Sequence, residues 1–262
     1  MNNDVRTALL IAHPAHELLV YAWLETTKPT VHILTRGSSY SQPPRIGRSE
    51  QLLSKTGCGI GRIFGEIEDQ ALYQQLLEGV HHGLIDLTWK LTQALIDDRT
   101  EVVVGDAAEG QILAHDIWRA MINAAIDFAQ TQTGRQIENL AFAIEISSSE
   151  NPLFNPAVGS KLTLEESALD RKYQAIKEYI EVASEADRIF ATQGRDLLAQ
   201  ETILPADPSA IWLRPLSSPT NYELHGEQQV RLGRYRHAIK HDQHVLPFVK
   251  KLENERLRLA CA

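Results

Sequence analysis

Leu9-Leu10-Ile11-Ala12-His13-Pro14-Ala15-His16-Glu17, close to the N-terminus, is the stretch on which the reading of the chain turns. Four apolar residues followed by His-Pro predict a short buried strand that ends where proline removes a backbone donor. The apolar run Leu18, Leu19, Tyr21, Ala22, Trp23, Leu24 then predicts a largely buried helix. His13 thus falls at the carboxyl end of a strand, and His16 at the strand-to-helix turn. In an open α/β sheet that edge is where ligands bind. Two imidazoles on one tight turn can aim at a single metal ion, as a zinc site requires. They can equally be turn histidines that only hydrogen-bond to backbone, and the spacing leaves both readings open.

Outward from this stretch, Thr30 to Thr35 and Glu101 to Val104 read as strands, as does Leu140 to Ile144. Gly57-Cys58-Gly59-Ile60-Gly61 superficially suggests a phosphate loop, but its spacing does not match the dinucleotide fingerprint. It reads instead as a turn into a short strand, Arg62 to Phe64. Helical spacing marks Arg48 to Lys55, Gln70 to Leu77, Gly83 to Asp97 and Asp116 to Gln130. Later come Leu164 to Ala183 with Thr163 as N-cap, then Asp187 to Gln200. Ala210 to Leu213 reads as a late strand, and Gly226 to Leu257 as a final helix kinked at Pro247. Strands alternating with helices predict an α/β fold, a mostly parallel, doubly wound sheet flanked by helices.

The totals narrow the function classes. Twenty-six basic against 34 acidic residues leave a net charge of −8, which argues against nucleic acid as a partner. Two cysteines, Cys58 and Cys261, make no disulfide framework and suit a reducing compartment. The N-terminal residues do not read as a secretory signal, and no apolar stretch reaches the ~18 residues of a membrane span. These features point to a cytoplasmic protein. A chain of 262 residues suits one large α/β domain spanning 1–262, with a helical C-terminal portion from about 160.

A third histidine, His115, follows the strand Glu101 to Val104 and the loop Ala107 to Ala114. The carboxyl ends of parallel strands share one edge, so His13, His16 and His115 can meet there. Three neutral imidazoles plus a water make an open catalytic zinc site. Asp106, Glu109 and Asp116 flank His115, and Glu17 adjoins His16; any of them can orient ligands or carry protons. Arg36, Ser38 and Ser39 stand at a strand end as candidate sugar or anion contacts. His237, His241 and His244 read as a solvated face among Arg234, Arg236, Lys240 and Asp242. Trp23, Trp89, Trp118 and Trp212 read as core.

The motif His13-Pro14-Ala15-His16-Glu17 after an apolar strand resembles the His-Pro-Asp-Asp-Glu motif of the PIG-L/LmbE-like de-N-acetylases. That family includes deacetylases of N-acetylglucosaminyl-phosphatidylinositol and of mycothiol and bacillithiol precursors. The likeness continues through Val31 to Gly37, loosely through Arg48-Ser49-Glu50, and through Asp106 and His115-Asp116-Ile117-Trp118-Arg119-Ala120. It covers roughly the first half of the chain. The resemblance implies an LmbE-like domain with a zinc ion on His13, His16 and His115, His16 replacing the family's aspartate ligand. It implies hydrolysis of an amide, an N-acetyl group on a sugar or sugar conjugate. Two positions depart from the family. Ala15 stands where the family has the aspartate that takes a proton from metal-bound water. Ile112 stands where many members carry a second histidine. The base must then be another carboxylate: Asp106, Glu109 or Glu17. The alternative is a member impaired in hydrolysis that binds a metal or a glycan.

Overall fold

The computed structural model describes residues 5–38, 43–143, 160–194, 198–206 and 219–260. The strand predicted from the opening stretch is β1 (Thr7–Ile11), an interior strand of the sheet. Its side chains alternate between two cores, as a pleated strand buried on both faces must. Leu10 packs with Trp118 and Phe248 on one side; Leu9 and Ile11 pack with Leu53 and Phe142 on the other. Each of these leucines and isoleucines is fully buried, which stabilises the fold by ~1.5–3 kcal/mol per side chain.

The other strands are β2 (Thr30–Thr35), β3 (Gly59–Ile67), β4 (Val102–Asp106), β5 (Glu138–Phe142), β6 (Ser160–Thr163) and β7 (Gln200–Pro205). They run in the order β3-β2-β1-β4-β5-β7-β6. The first five pair in parallel, while β7 is antiparallel to both β5 and β6. The sheet is therefore mostly parallel and doubly wound, as the alternating pattern predicts. The chain steps outward from β1 through β2 to β3, then returns to pair β4 on the other side of β1. That reversal is the topological switch point, and the loops after β1 and β4 face each other across it.

The helices are α1 (Tyr21–Thr27), α2 (Ile46–Thr56), α3 (Asp69–Leu77), α4 (His82–Asp97), α5 (Leu113–Thr133), α6 (Glu166–Glu178), α7 (Ile180–Gln193), α8 (Asn221–Arg231) and α9 (Leu246–Ala260). Several boundaries differ from the sequence reading. The Gly-rich segment is not a free turn: Gly57 ends α2 at φ 73°, and residues from Gly59 already belong to the nine-residue edge strand β3. A Cβ on Gly61 would collide with the ring of His32 on β2, so the glycine permits that close crossing. Thr163 lies in β6 and Glu165 is the N-cap of α6. The helix read as Leu164 to Ala183 is interrupted at Tyr179, whose φ −84°, ψ 82° is not helical. What reads as a helix up to Gln200 ends at Gln193, and β7 starts at Gln200 because it pairs between β5 and β6, a tertiary pairing with no local signal.

The final helix is two helices, joined by a non-helical segment and a π-helical turn, His241–Val245. Pro247 sits in the first turn of α9, where its missing N–H costs nothing, and so starts a helix in place of kinking one. The strand read over Ala210 to Leu213 and the residues Ile144, Ser39 and Trp212 lie outside the described residues. Trp118 is fully buried and Trp89 stacks on Phe128, ring centroids 4.6 Å apart.

Candidate metal centre

Three local features bring the histidines to one point. After β1 the chain turns at His13-Pro14, and Ala15 takes a left-handed conformation, φ 86°, ψ −12°. A non-glycine residue held there stores ~1 kcal/mol or more of strain. The turn feeds a short 3-10 segment, His16–Leu18. After β2, Gly37 (φ 64°) crosses directly over this turn; a Cβ on it would lie 2.8 Å from Pro14 Cδ. From the other side of the switch point, His115 projects from the first turn of α5, whose N-cap is Ile112.

The ring centroids of His13 and His16 are 5.4 Å apart, those of His13 and His115 5.3 Å, and those of His16 and His115 4.7 Å. Imidazoles sharing one tetrahedral zinc, with nitrogens at ~2.0–2.1 Å, have centroids ~5 Å apart. The nearly equilateral triangle fits that requirement. Among the described residues, the ligand atoms of His16, Asp106 and His115 also lie within 4.8 Å of one another, a group able to hold a metal ion. The two sets share His16 and His115 and differ in the third donor.

Hydrogen bonding distinguishes the two candidates. Asp106 is fully buried, and its Oδ2 accepts the Ala12 N–H at 2.5 Å. Its Oδ1 lies 3.2 Å from His16 Nδ1. Arg119 is likewise buried and donates to the Asp106 carbonyl (2.6 Å) and to Asn139 Oδ1 (3.0 Å), which holds the end of β4 in place. The Asp106 carboxylate is thus already committed to His16 and to the backbone just after β1. His13 directs Nδ1 at Asp69 Oδ1 and at Thr35 Oγ1, both 2.9 Å away. In both rings Nδ1 is engaged and Nε2 is left for the centre. His115 is buried, and neither of its ring nitrogens has a hydrogen-bond partner in the protein. Such a group is costly without a ligand, and a cation would satisfy it.

Burial keeps two of the imidazoles, His13 and His115, in their ligating form. Burial lowers the pKa of His13, and of His115 well below the ordinary histidine value. Both are neutral at pH 7, as metal binding requires. Burial opposes ionisation of Asp106, but the adjacent His16 and His115 and the hydrogen bonds from His16 and Ala12 outweigh it and hold the carboxyl at about 2. Burial pushes Asp116 up to about 7, against the backbone N–H groups of Glu109 (3.1 Å) and Gly110 (3.2 Å) that its Oδ1 accepts. Asp116 thereby pins the loop between β4 and α5 that carries Glu109, itself almost buried.

The carboxylates named from the sequence therefore lie in different surroundings. Asp106 belongs to the cluster, and Glu109 lies on the loop leading to His115. Glu17 is engaged instead with Ser49 Oγ, which in turn lies 3.2 Å from Tyr179 Oη. Burial raises the Glu17 pKa. Arg36 and Ser38 are both turned to Glu68. Among the three C-terminal histidines, His237 is exposed as expected, but His241 is buried with Nδ1 2.7 Å from Tyr222 Oη. Its neighbours gave no sequence sign of that inward turn. Asp69 escaped the sequence reading altogether. It lies 56 positions beyond His13, and only the adjacency of β2 and β3 brings the first turn of α3 to the His-Pro turn.

Comparison with solved structures identifies relatives of the fold. The A40926 pseudoaglycone deacetylase Dbv21 superposes with a TM-score of 0.53 at 19% sequence identity, over 77% of this chain and 96% of that one. A triple mutant of the deacetylase Orf2 of teicoplanin biosynthesis also gives 0.53, at 13% identity over 77% and 97% of the two chains. The chain has the fold of these deacetylases. The zinc-inhibited form of teicoplanin deacetylase Orf2 gives 0.50 at 12% identity, over 76% and 97%. No protein-family model matches the sequence, and neither does any curated protein. Among the described residues, no helix is long and apolar enough to cross a membrane.

Proposed function

We propose that this chain is a zinc-dependent hydrolase that removes an N-acetyl or other amide-linked acyl group from a sugar or sugar conjugate. The observation that carries the reading is the triangle of His13, His16 and His115, drawn from the turn after β1 and the start of α5 at the switch point, with the His115 nitrogens buried and without a protein partner. The fold shared with the glycopeptide deacetylases supports the amide substrate class. A divalent cation there would polarise the scissile carbonyl and lower the pKa of a bound water to ~7.

The protein's own residues carry the rest. Asp106 holds His16 by Nδ1, which fixes that ring's direction. The same commitment, with a pKa of about 2, makes Asp106 a weak proton acceptor. Glu17 is tied to Ser49. Glu109, on the loop that Asp116 fixes beside His115, is the carboxylate we assign as general base. Ala15 cannot serve, since it carries only a methyl group. That same alanine favours the second reading: a member that keeps the metal but has lost hydrolysis and binds a glycan-like ligand.

The test is metal analysis of the purified protein, followed by acetate release from a panel of N-acetyl sugars. Zinc-dependent release by the wild type, lost in His115→Ala and reduced ~10²–10⁴-fold in Glu109→Gln, is the expected result. Bound zinc without release from any substrate would favour the binding reading, and absence of bound zinc would refute both.

A further inference from the structure

We propose that Asp69 is a positioning residue of the metal centre, holding the His13 ring so that Nε2 faces the cation; the inference rests on the zinc reading above. Asp69 is the first residue of α3, a nine-residue helix whose N-terminal dipole favours negative charge. Its Oδ1 lies 2.9 Å from His13 Nδ1, and its Oδ2 accepts the Ser38 N–H at 2.9 Å. Thr35 Oγ1 stands between the two groups. It accepts the Gly37 N–H at 3.3 Å and lies 2.9 Å from His13 Nδ1. The Thr35 hydroxyl also hydrogen-bonds to Asp69, which spends its proton there and leaves the His13 Nδ1–H to the carboxylate. With partners on both oxygens the carboxylate has no freedom to rotate, so the proton it accepts fixes both the tautomer and the plane of His13.

The arrangement repeats on the second histidine of the turn. Asp106 sits on His16 Nδ1 as Asp69 sits on His13 Nδ1, and the two acids come from opposite sides of the switch point. His115 has no such partner. The centre is thus two carboxylate-held imidazoles and one free ring. Partners of this kind typically change metal affinity 10–100-fold when removed.

The test compares wild type, Asp69→Asn and Asp69→Ala, each stripped of metal and titrated with zinc against chelators of graded affinity. Visible spectra of the cobalt(II)-loaded proteins are recorded in parallel. Asp69→Ala is expected to bind zinc 10–100-fold more weakly than wild type and to show a shifted cobalt spectrum, with Asp69→Asn between the two. If the alanine variant fails to fold, as circular dichroism would show, the isosteric Asp69→Asn decides by the same measurements. Wild-type affinity and an unchanged cobalt spectrum in the folded variants would overturn the role of Asp69 while leaving the zinc reading intact. A wild type that takes up no zinc overturns that reading, and the Asp69 inference with it.

Discussion

Replacing His115 by leucine should stabilise the metal-free protein while abolishing its response to zinc. His115 is 1% exposed, and burial keeps it neutral. A neutral imidazole offers one donor and one acceptor, and here neither finds a protein partner. A buried polar group left without a partner costs ~1–3 kcal/mol. Leucine removes it and fills a similar volume beside the His13 and His16 rings, at a repacking cost of under ~1.5 kcal/mol. The net expectation is a gain of ~1 kcal/mol, or about 2–4 °C in Tm for a chain of this size. The assay is thermal unfolding in chelator and again in excess zinc. Zinc at 100 times Kd should add ~2.7 kcal/mol to wild type and nothing to His115→Leu. A variant that melts below the metal-free wild type, or that zinc still stabilises, would refute the argument that His115 is held in place for a cation.

Other consequences follow from particular groups. In the Glu109→Gln background, Ala15→Asp should restore acetate release toward the wild-type rate, because aspartate tolerates the left-handed backbone at residue 15 and returns a carboxylate beside the histidines. No recovery in a variant that still binds zinc would show that residue 15 cannot reach the reacting water. His32 is buried within β2, and burial first, then the charges of Arg62 and Lys90, lower its pKa to about 4 from an unfolded value of ~6.5. The unfolded chain takes up that proton first, so stability is complete above pH ~6.5 and falls as pH drops toward 4, by ~3 kcal/mol in all. The urea midpoint should therefore decline less steeply over this interval in His32→Leu than in wild type; parallel curves would contradict the assignment.

The Lys172 ammonium and Glu201, 2% and 0% exposed, pair at 2.8 Å, and Glu201 also accepts the N–H groups of Ala22 and Trp23. Lys172→Met alone should cost ~3–5 kcal/mol by urea unfolding, and adding Glu201→Gln should recover part of it. Additive losses would mean that the two charges do not compensate each other.

The sequence by itself determined the fold class and the position of the first two histidines. A buried parallel strand must be apolar throughout, and the residue that ends it must stop donating to the ladder; Leu9 to Pro14 states both facts locally. Helix and strand periodicities are likewise local, and they placed β1, β2, β4 and most helices. What the tertiary structure decided is which distant groups meet. The return of the chain to β1 at β4 brings His115 to His13 and His16, and the pairing of β3 with β2 delivers Asp69 to His13. The same holds for β7, which the open edge of β5 pairs, and for β6, which pairs in turn with β7. The commitment of Asp106 to His16 and of Glu17 to Ser49 separates three carboxylates that composition and spacing leave equivalent. A side chain's role as ligand, base or support depends on which partner takes its hydrogen bonds, and that partner is chosen by packing across the sheet.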